Sequence, residues 1–220
     1  MKEQIDTIRR EMDLIEERTG EKTTLVAVTK GRSVQMIKEL RHYGIQDMGE
    51  NRVQELLEKY PDLPEDMRIH FIGHLQRNKV RQVVPIAHLI HSLDSLRLAA
   101  EIDRQAERFE KKQEVLVQIN LAREANKFGF YEEDIKEAMR EMESFKSLDI
   151  RGFMMMAPFG SGEKELYELF SQAKLIFDYY RKSRYNNSRI SILSMGMSDD
   201  YKIALEAGSN MIRIGSRIFE

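Results

Sequence analysis

An α/β chain closed into a (β/α)8 TIM barrel is the architecture this sequence predicts, on three observations. Eight short apolar or β-branched runs recur along the chain, helical patterns separate them, and none is joined to the next by a tight hairpin turn. Strands that are almost wholly apolar and separated by helices form parallel sheets covered on both faces. Eight such units close into a barrel of roughly 250 residues, with a lower bound of about 200. At 220 residues this chain is a lean example. The competing architecture, an open doubly wound sheet, favours a glycine-rich turn after its first strand to hold a pyrophosphate. The first turn here, Lys30-Gly31-Arg32-Ser33, has one glycine.

The elements follow in order. MKEQIDTIRREMDLIEERTG carries Ile5, Ile8, Met12 and Ile15 among dense charges, which makes it an amphipathic helix ending at Gly20 rather than a signal peptide. Strands are predicted at Leu25 to Thr29, Ile45 to Met48, Ile69 to Ile72, His88 to His91, Val115 to Ile119, Ile150 to Met155, Ile190 to Leu193 and Met211 to Ile214. Between them, helices are predicted at Ser33 to Tyr43 with a serine cap, Arg52 to Tyr60, Gln76 to Val83, Ser95 to Phe109, Tyr131 to Phe145, Glu163 to Arg184, and Asp199 to Glu206 closed by Ala207-Gly208. The longest irregular stretch, Leu121 to Phe130, leaves a strand and is a candidate binding loop.

Composition narrows the function classes. No shift in composition marks a linker, so residues 1–220 are expected to form one domain. The 35 Lys and Arg nearly balance 37 Asp and Glu, so no global field recruits nucleic acid or an anionic membrane, and a small-molecule partner is expected. Cysteine is absent, which excludes disulfides, thiolate nucleophiles and cysteine-based zinc sites. No apolar stretch approaches the roughly 20 residues that span a bilayer. The expected protein is soluble, cytoplasmic and monomeric.

Lys30 is the first candidate for chemistry, because it follows the apolar run Leu25-Val26-Ala27-Val28-Thr29 where a buried strand becomes a loop. A lysine amine at such a place can attack an aldehyde. After the seventh run comes Ser194-Met195-Gly196-Met197-Ser198-Asp199-Asp200, and after the eighth Arg213-Ile214-Gly215-Ser216. In a (β/α)8 barrel these two loops commonly hold phosphate, and hydroxyls with free backbone N–H groups suit that task. Strand one adjoins strand eight in a closed barrel, so amine and phosphate cradle share one mouth. Pyridoxal 5′-phosphate needs that pair of groups, and so does an aldolase that forms a Schiff base with a sugar phosphate.

AVTKGRS, GENRVQE at 49–55, HFIGHLQRNK at 70–79, LVQIN at 116–120, RGFMMMAP at 151–158 and LSMGMSDDYKIALEAGSNMIRIGSRIF at 193–219 closely resemble the pyridoxal phosphate homeostasis (YggS/PROSC-like) family over nearly the whole chain. The resemblance implies a fold type III pyridoxal phosphate barrel, similar to the amino-terminal domain of alanine racemase. It implies a protein that holds the cofactor as a lysine Schiff base, without established turnover, and takes part in its homeostasis and delivery, with apo pyridoxal phosphate enzymes as acceptors. Lys30 becomes the imine lysine; Ser194, Gly215 and Ser216 become phosphate ligands; Arg213 faces the pyridine nitrogen; Asn51 lies near the cofactor edge; Met154 and Met195 line its faces. Two departures stand out: Thr29-Lys30-Gly31 where the family often has Ser-Lys-Thr, and Asn126-Lys127-Phe128-Gly129 where it often has a small residue. The alternative activity is a slow amino-acid racemase or Schiff-base lyase in the same pocket. Racemisation needs two opposed acid/base groups. In alanine racemase the second comes from a further domain and a partner subunit, for which this sequence shows no counterpart after the barrel.

Other signals are read as structural. The pairs His70/His74 and His88/His91 lie on strands or strand ends, cannot share a helical face and have no cysteine beside them, so no metal site is expected. Arg77, Lys79 and Arg81 form a solvated face, and Tyr43, Tyr60, Tyr131 and Tyr201 are amphipathic packing residues at helix ends.

Overall fold

Each of the eight apolar runs forms a strand, and the order of the strands around the molecule is their order in the chain. The computed structural model describes residues 1–124 and 127–219. Asn126, within the predicted binding loop, lies outside the described residues, as does Glu220. Among the described residues the strands are β1 (Thr24–Val28), β2 (Asp47–Glu50), β3 (Arg68–Phe71), β4 (Leu89–Leu93), β5 (Gln113–Ile119), β6 (Leu148–Met155), β7 (Ser188–Ser194) and β8 (Met211–Ile214). All pair in parallel, and β8 returns to β1 through Thr24 to Ala27 against Met211 to Ile214, which closes the barrel.

The helices are α1 (Lys2–Thr19), α2 (Val34–His42), α3 (Val53–Lys59), α4 (Val80–Val83), α5 (Leu96–Arg108), α6 (Glu132–Met142), α7 (Glu163–Lys182), α8 (Tyr201–Glu206) and α9 (Ser216–Phe219). Ser33 and Ser95 accept N–H bonds from Met36 and Leu98 and so start α2 and α5 as caps. The predicted helix at Gln76 to Val83 is only partly α-helical: Arg77–Lys79 is a 3-10 turn that leads into α4. α1 precedes the barrel and packs Ile5, Ile8 and Met12 against Leu25, Ala27, Ile212 and Ile214, covering the seam between β1 and β8.

Two layers of packing follow from strand alternation. Outward residues such as Phe71, Val117, Phe153 and Leu193 meet Leu98, Phe170 and Phe177 from the helices. Inward residues Val26, Leu89, Leu116, Met154 and Met211 come from five strands and touch one another across the axis. Each such fully buried side chain contributes roughly 1.5–3 kcal/mol. The β7–β8 seam has one register pair, Ser194 with Met211, and the buried Ser209 hydroxyl strengthens it by lying 2.8–3.1 Å from the carbonyls of Leu193, Met195 and Met211. Gly152 on β6 has φ 151°, and a Cβ there would fall 1.8 Å from the Ile192 carbonyl oxygen, so only glycine lets β6 and β7 approach.

Candidate functional site at the mouth of the barrel

At the carboxyl end of the strands a cavity of about 370 Å³ is walled by Val28, Lys30, Asn51, Ile72, Gly73, His74, Gln118, Lys127, Phe128, Met156, Met197 and Arg213. Its volume suits a small ligand. A larger depression of about 860 Å³ lies at the opposite, amino-terminal face beside Lys38, Arg41 and Asp66, and contains none of the candidate residues.

Lys30 leaves β1 exposed, and the backbone on either side of it is held. The buried Lys59 ammonium at the end of α3 donates to the Thr29 carbonyl at 2.8 Å and to Glu50 and Glu55, each at 2.7 Å. The Thr29 hydroxyl donates to Glu50 at 2.6 Å, and the Gly31 N–H donates to Glu55. Burial pushes the Glu50 carboxyl up against the pull of Lys59 and Thr29. Glu55, also subject to burial, is held below its ordinary value by Lys59 and the Gly31 N–H. Glu55 and Lys59 show the i, i+4 spacing of a surface helix pair, which is why the sequence alone did not mark them as a clamp.

Asn51 follows β2. Its Oδ1 is buried and has no hydrogen-bond partner among the described residues, so the cavity wall holds an unsatisfied acceptor. Gly73 makes this approach possible, since a Cβ there would lie 2.1 Å from the Asn51 carbonyl oxygen. The His74 ring, also in the wall, stacks on Phe128 with centroids 3.6 Å apart, and its Nδ1 is 2.8 Å from Asp94. Phe128, in the loop whose sequence departs from the expected family pattern, is thus an aromatic wall.

Arg213 is 3% exposed. Its guanidinium donates to the Ser194 hydroxyl at 2.6 Å and to the Met155 carbonyl at 2.9 Å. Burial lowers its pKa to about 10 and Asp200 opposes the shift, so the group stays charged at neutral pH. Asp200 is itself pushed up by burial, and it accepts the Met197 N–H as the chain turns into α8.

The structure relocates three sequence candidates. Ser194 is 0% exposed, and its hydroxyl lies between Arg213 and His91 (3.1 Å), beneath the mouth. Ser198 sits at the rim instead, its hydroxyl 3.4 Å from the Gly215 N–H beside Ser216. Met154 belongs to the axial cluster below the cavity, because strand alternation turns it inward one layer too deep. Met195 packs outward against the helical layer. The methionines that do line the cavity are Met156 and Met197.

The two histidine pairs read as structural re-sort in space. His70 and His91 face each other across β3 and β4 at 2.8 Å, and His70 reaches Asp47 at 2.9 Å. His74 goes to the mouth. Among the described residues no cluster suited to a metal ion forms.

The family model "Alanine racemase, N-terminal domain" matches residues 4–220. A pyridoxal phosphate homeostasis protein of Synechocystis is 38% identical over 197 residues, 89% of each chain. That of Escherichia coli K12 is 35% identical over 206 residues, 92% of this chain and 87% of its own. PipY of Synechococcus elongatus, solved with PLP bound, superposes with a TM-score of 0.87 at 31% identity over 100% of this chain and 99% of its own. Alanine racemase of Clostridium difficile shares the fold at 17% identity, with a TM-score of 0.74 over 97% of this chain and 56% of its own. The chain therefore belongs to the alanine racemase amino-terminal domain family and, within it, to the pyridoxal phosphate homeostasis proteins.

Proposed function

We propose that this chain holds pyridoxal 5′-phosphate in the mouth cavity through an imine to Lys30, and stores and delivers the cofactor rather than turning over an amino acid. The observation that carries this reading is the meeting of Lys30, Asn51 and Arg213 in one cavity, in a chain that superposes on PipY with PLP bound. When bound, the cofactor supplies an electrophilic aldehyde carbon and an electron-withdrawing ring.

The residues fit it. Lys30 presents an amine on a loop whose backbone is clamped while the side chain stays exposed. The unpartnered Asn51 Oδ1 accepts a hydroxyl at the cofactor's edge. The rim residues Ser198, Gly215 and Ser216 are the phosphate donors, with Ser198 taking the place first given to Ser194. Phe128, Met156 and Met197 supply apolar walls. Arg213, still charged at neutral pH, donates to the pyridine nitrogen and opposes its protonation, which restrains carbanion chemistry and favours a carrier over a racemase. The exposed amine suits release to apo-enzymes by exchange with another amine.

An absorbance titration with pyridoxal phosphate, run in parallel on wild type and Lys30→Ala, tests the reading. A saturable band in the wild type that is lost in the variant supports it. The same band in both, or none in either, refutes the role of Lys30. Transfer of the bound cofactor to an apo-enzyme supports delivery, whereas sustained Lys30-dependent conversion of an amino acid, well above that of free cofactor, shows turnover instead.

A further inference from the structure

A continuous file of buried polar groups crosses the barrel interior from its amino-terminal face to the mouth. Arg68, half-exposed at the start of β3, donates to Asp47 at 2.7 Å. Asp47 lies 2.9 Å from His70 Nε2, His70 Nδ1 lies 2.8 Å from His91 Nε2, His91 Nδ1 lies 3.1 Å from the Ser194 hydroxyl, and Ser194 receives Arg213 at 2.6 Å. His70, His91, Ser194 and Arg213 are each at most 3% exposed.

The acceptor at one end and neutral rings between set the direction of each bond. Burial would push the Asp47 carboxyl up, but hydrogen bonds from His70 and Arg68 outweigh it and hold the group at about 2, so Asp47 only accepts at neutral pH. His70 therefore donates from Nε2. With a neutral ring its Nδ1 accepts, so His91 donates from Nε2 and accepts at Nδ1 from the Ser194 hydroxyl. That hydroxyl accepts in turn from Arg213, which only donates. From Arg213 to Asp47 every bond then points the same way, and aligned bonds of this kind polarise one another.

We infer that Asp47, His70, His91 and Ser194 are positioning residues for Arg213: a one-directional hydrogen-bond chain that holds the guanidinium at the mouth and transmits to it the protonation state of the two imidazoles. The groups facing the pair are Asp47 on β2, Arg68 on β3, His88 on β4 with its ring centroid 5.7 Å from that of His70, Glu114 on β5 beside His88, Arg151 on β6 paired with Glu114, and Arg213 on β8. Burial, with His70, Arg213 and His88 acting in the same sense, pushes His91 well below the ordinary imidazole range. His91 therefore stays neutral at neutral pH, as the aligned chain requires.

A proton added to the pair in acid, whichever ring carries the charge, leaves an N–H at His91 Nδ1, the site facing Ser194. The Ser194 oxygen then faces two donors, and the hydroxyl proton loses its acceptor. Acid thus loosens Arg213 without any change at the mouth itself.

The chain is a property of the ligand-free protein; only its effect on cofactor binding rests on the reading of the mouth given above. Histidine 15N–1H correlation spectra of the ligand-free wild type are the test. At neutral pH both His70 and His91 are expected as the Nε2–H tautomer. An Nδ1–H tautomer on either ring at neutral pH overturns the chain. Ser194→Ala is expected to weaken pyridoxal phosphate binding roughly tenfold at pH 7, as for loss of a hydrogen bond to a charged group, and to remove the acid limb of the wild-type binding profile. Unchanged affinity with an unchanged profile severs the link to Arg213. A wild type that takes no cofactor refutes the reading of the mouth and leaves the spectra to decide the chain, as they do if the variant fails to fold.

Discussion

Lys30 and Arg213 stand in one cavity, yet the polar networks that hold them are built on different electrostatics. The network at Lys30 is ionic: the Lys59 ammonium lies between Glu50 and Glu55, and its contacts reach the backbone on both sides of Lys30 without touching its amine. The network at Arg213 has its fixed charges at its ends and runs through two imidazoles and a hydroxyl to grip the guanidinium itself. The first clamps a loop and leaves its side chain to react. The second immobilises a side chain that must stay still. A buried charge needs its partner in place, whereas a neutral chain needs its donors and acceptors in register.

Breaking the ionic network is expected to have the larger effect on stability. Lys59→Met leaves Glu50 buried without its cation and should cost about 3–5 kcal/mol in urea unfolding. The double variant Lys59→Met/Glu50→Gln should recover part of that loss. If the single variant is as stable as wild type, the clamp contributes nothing to the fold. Met195→Ala separates packing from binding: it opens a cavity in the helical layer and should cost about 3 kcal/mol while cofactor affinity stays unchanged. Met156→Ala should do the reverse.

Acid distinguishes Glu50 from the titrating groups of the Arg213 network by sign. Asp47 has a folded pKa of about 2 against an unfolded 3.8, so its contribution, about 2 kcal/mol, is present above the unfolded value and lost as pH falls through the folded one. His91 is also lowered, so its contribution is present above the unfolded imidazole value and is lost as pH falls below it. Glu50 is raised and works the other way, stabilising on the acid side and losing that contribution as pH rises through its folded value. Urea midpoints of the wild type should fall from about pH 6 downward, and His91→Gln should flatten the first part of that fall. Arg213→Lys is the smallest change: an ammonium cannot reproduce the planar fork that meets Ser194 and Met155 together, and cofactor affinity should drop roughly tenfold in the same absorbance titration.

Strand and helix order, and the barrel they close, were legible because apolar runs and helical periods are local properties of the chain. Lys30, Asn51 and Arg213 could be named as site candidates because each stands in or beside a short motif at a strand end. The helix at Gln76 to Val83 was overestimated, since a 3-10 turn and an α-helical turn leave the same apolar spacing in so short a segment. Depth was not legible. Ser194 and Ser198 are both serines of one loop, and only strand alternation and the β7–β8 seam send the first beneath the mouth and the second to its rim. The same alternation sends Met154 to the axis and Met195 to the helices, while Met156 and Met197 reach the cavity. The sequence by itself determined which elements form and which segments end at the working face. Tertiary structure alone decided that His70 meets His91, and that Lys59 meets Thr29 from 30 residues away, because a hydrogen bond across the barrel depends on closure and register rather than on neighbours along the chain.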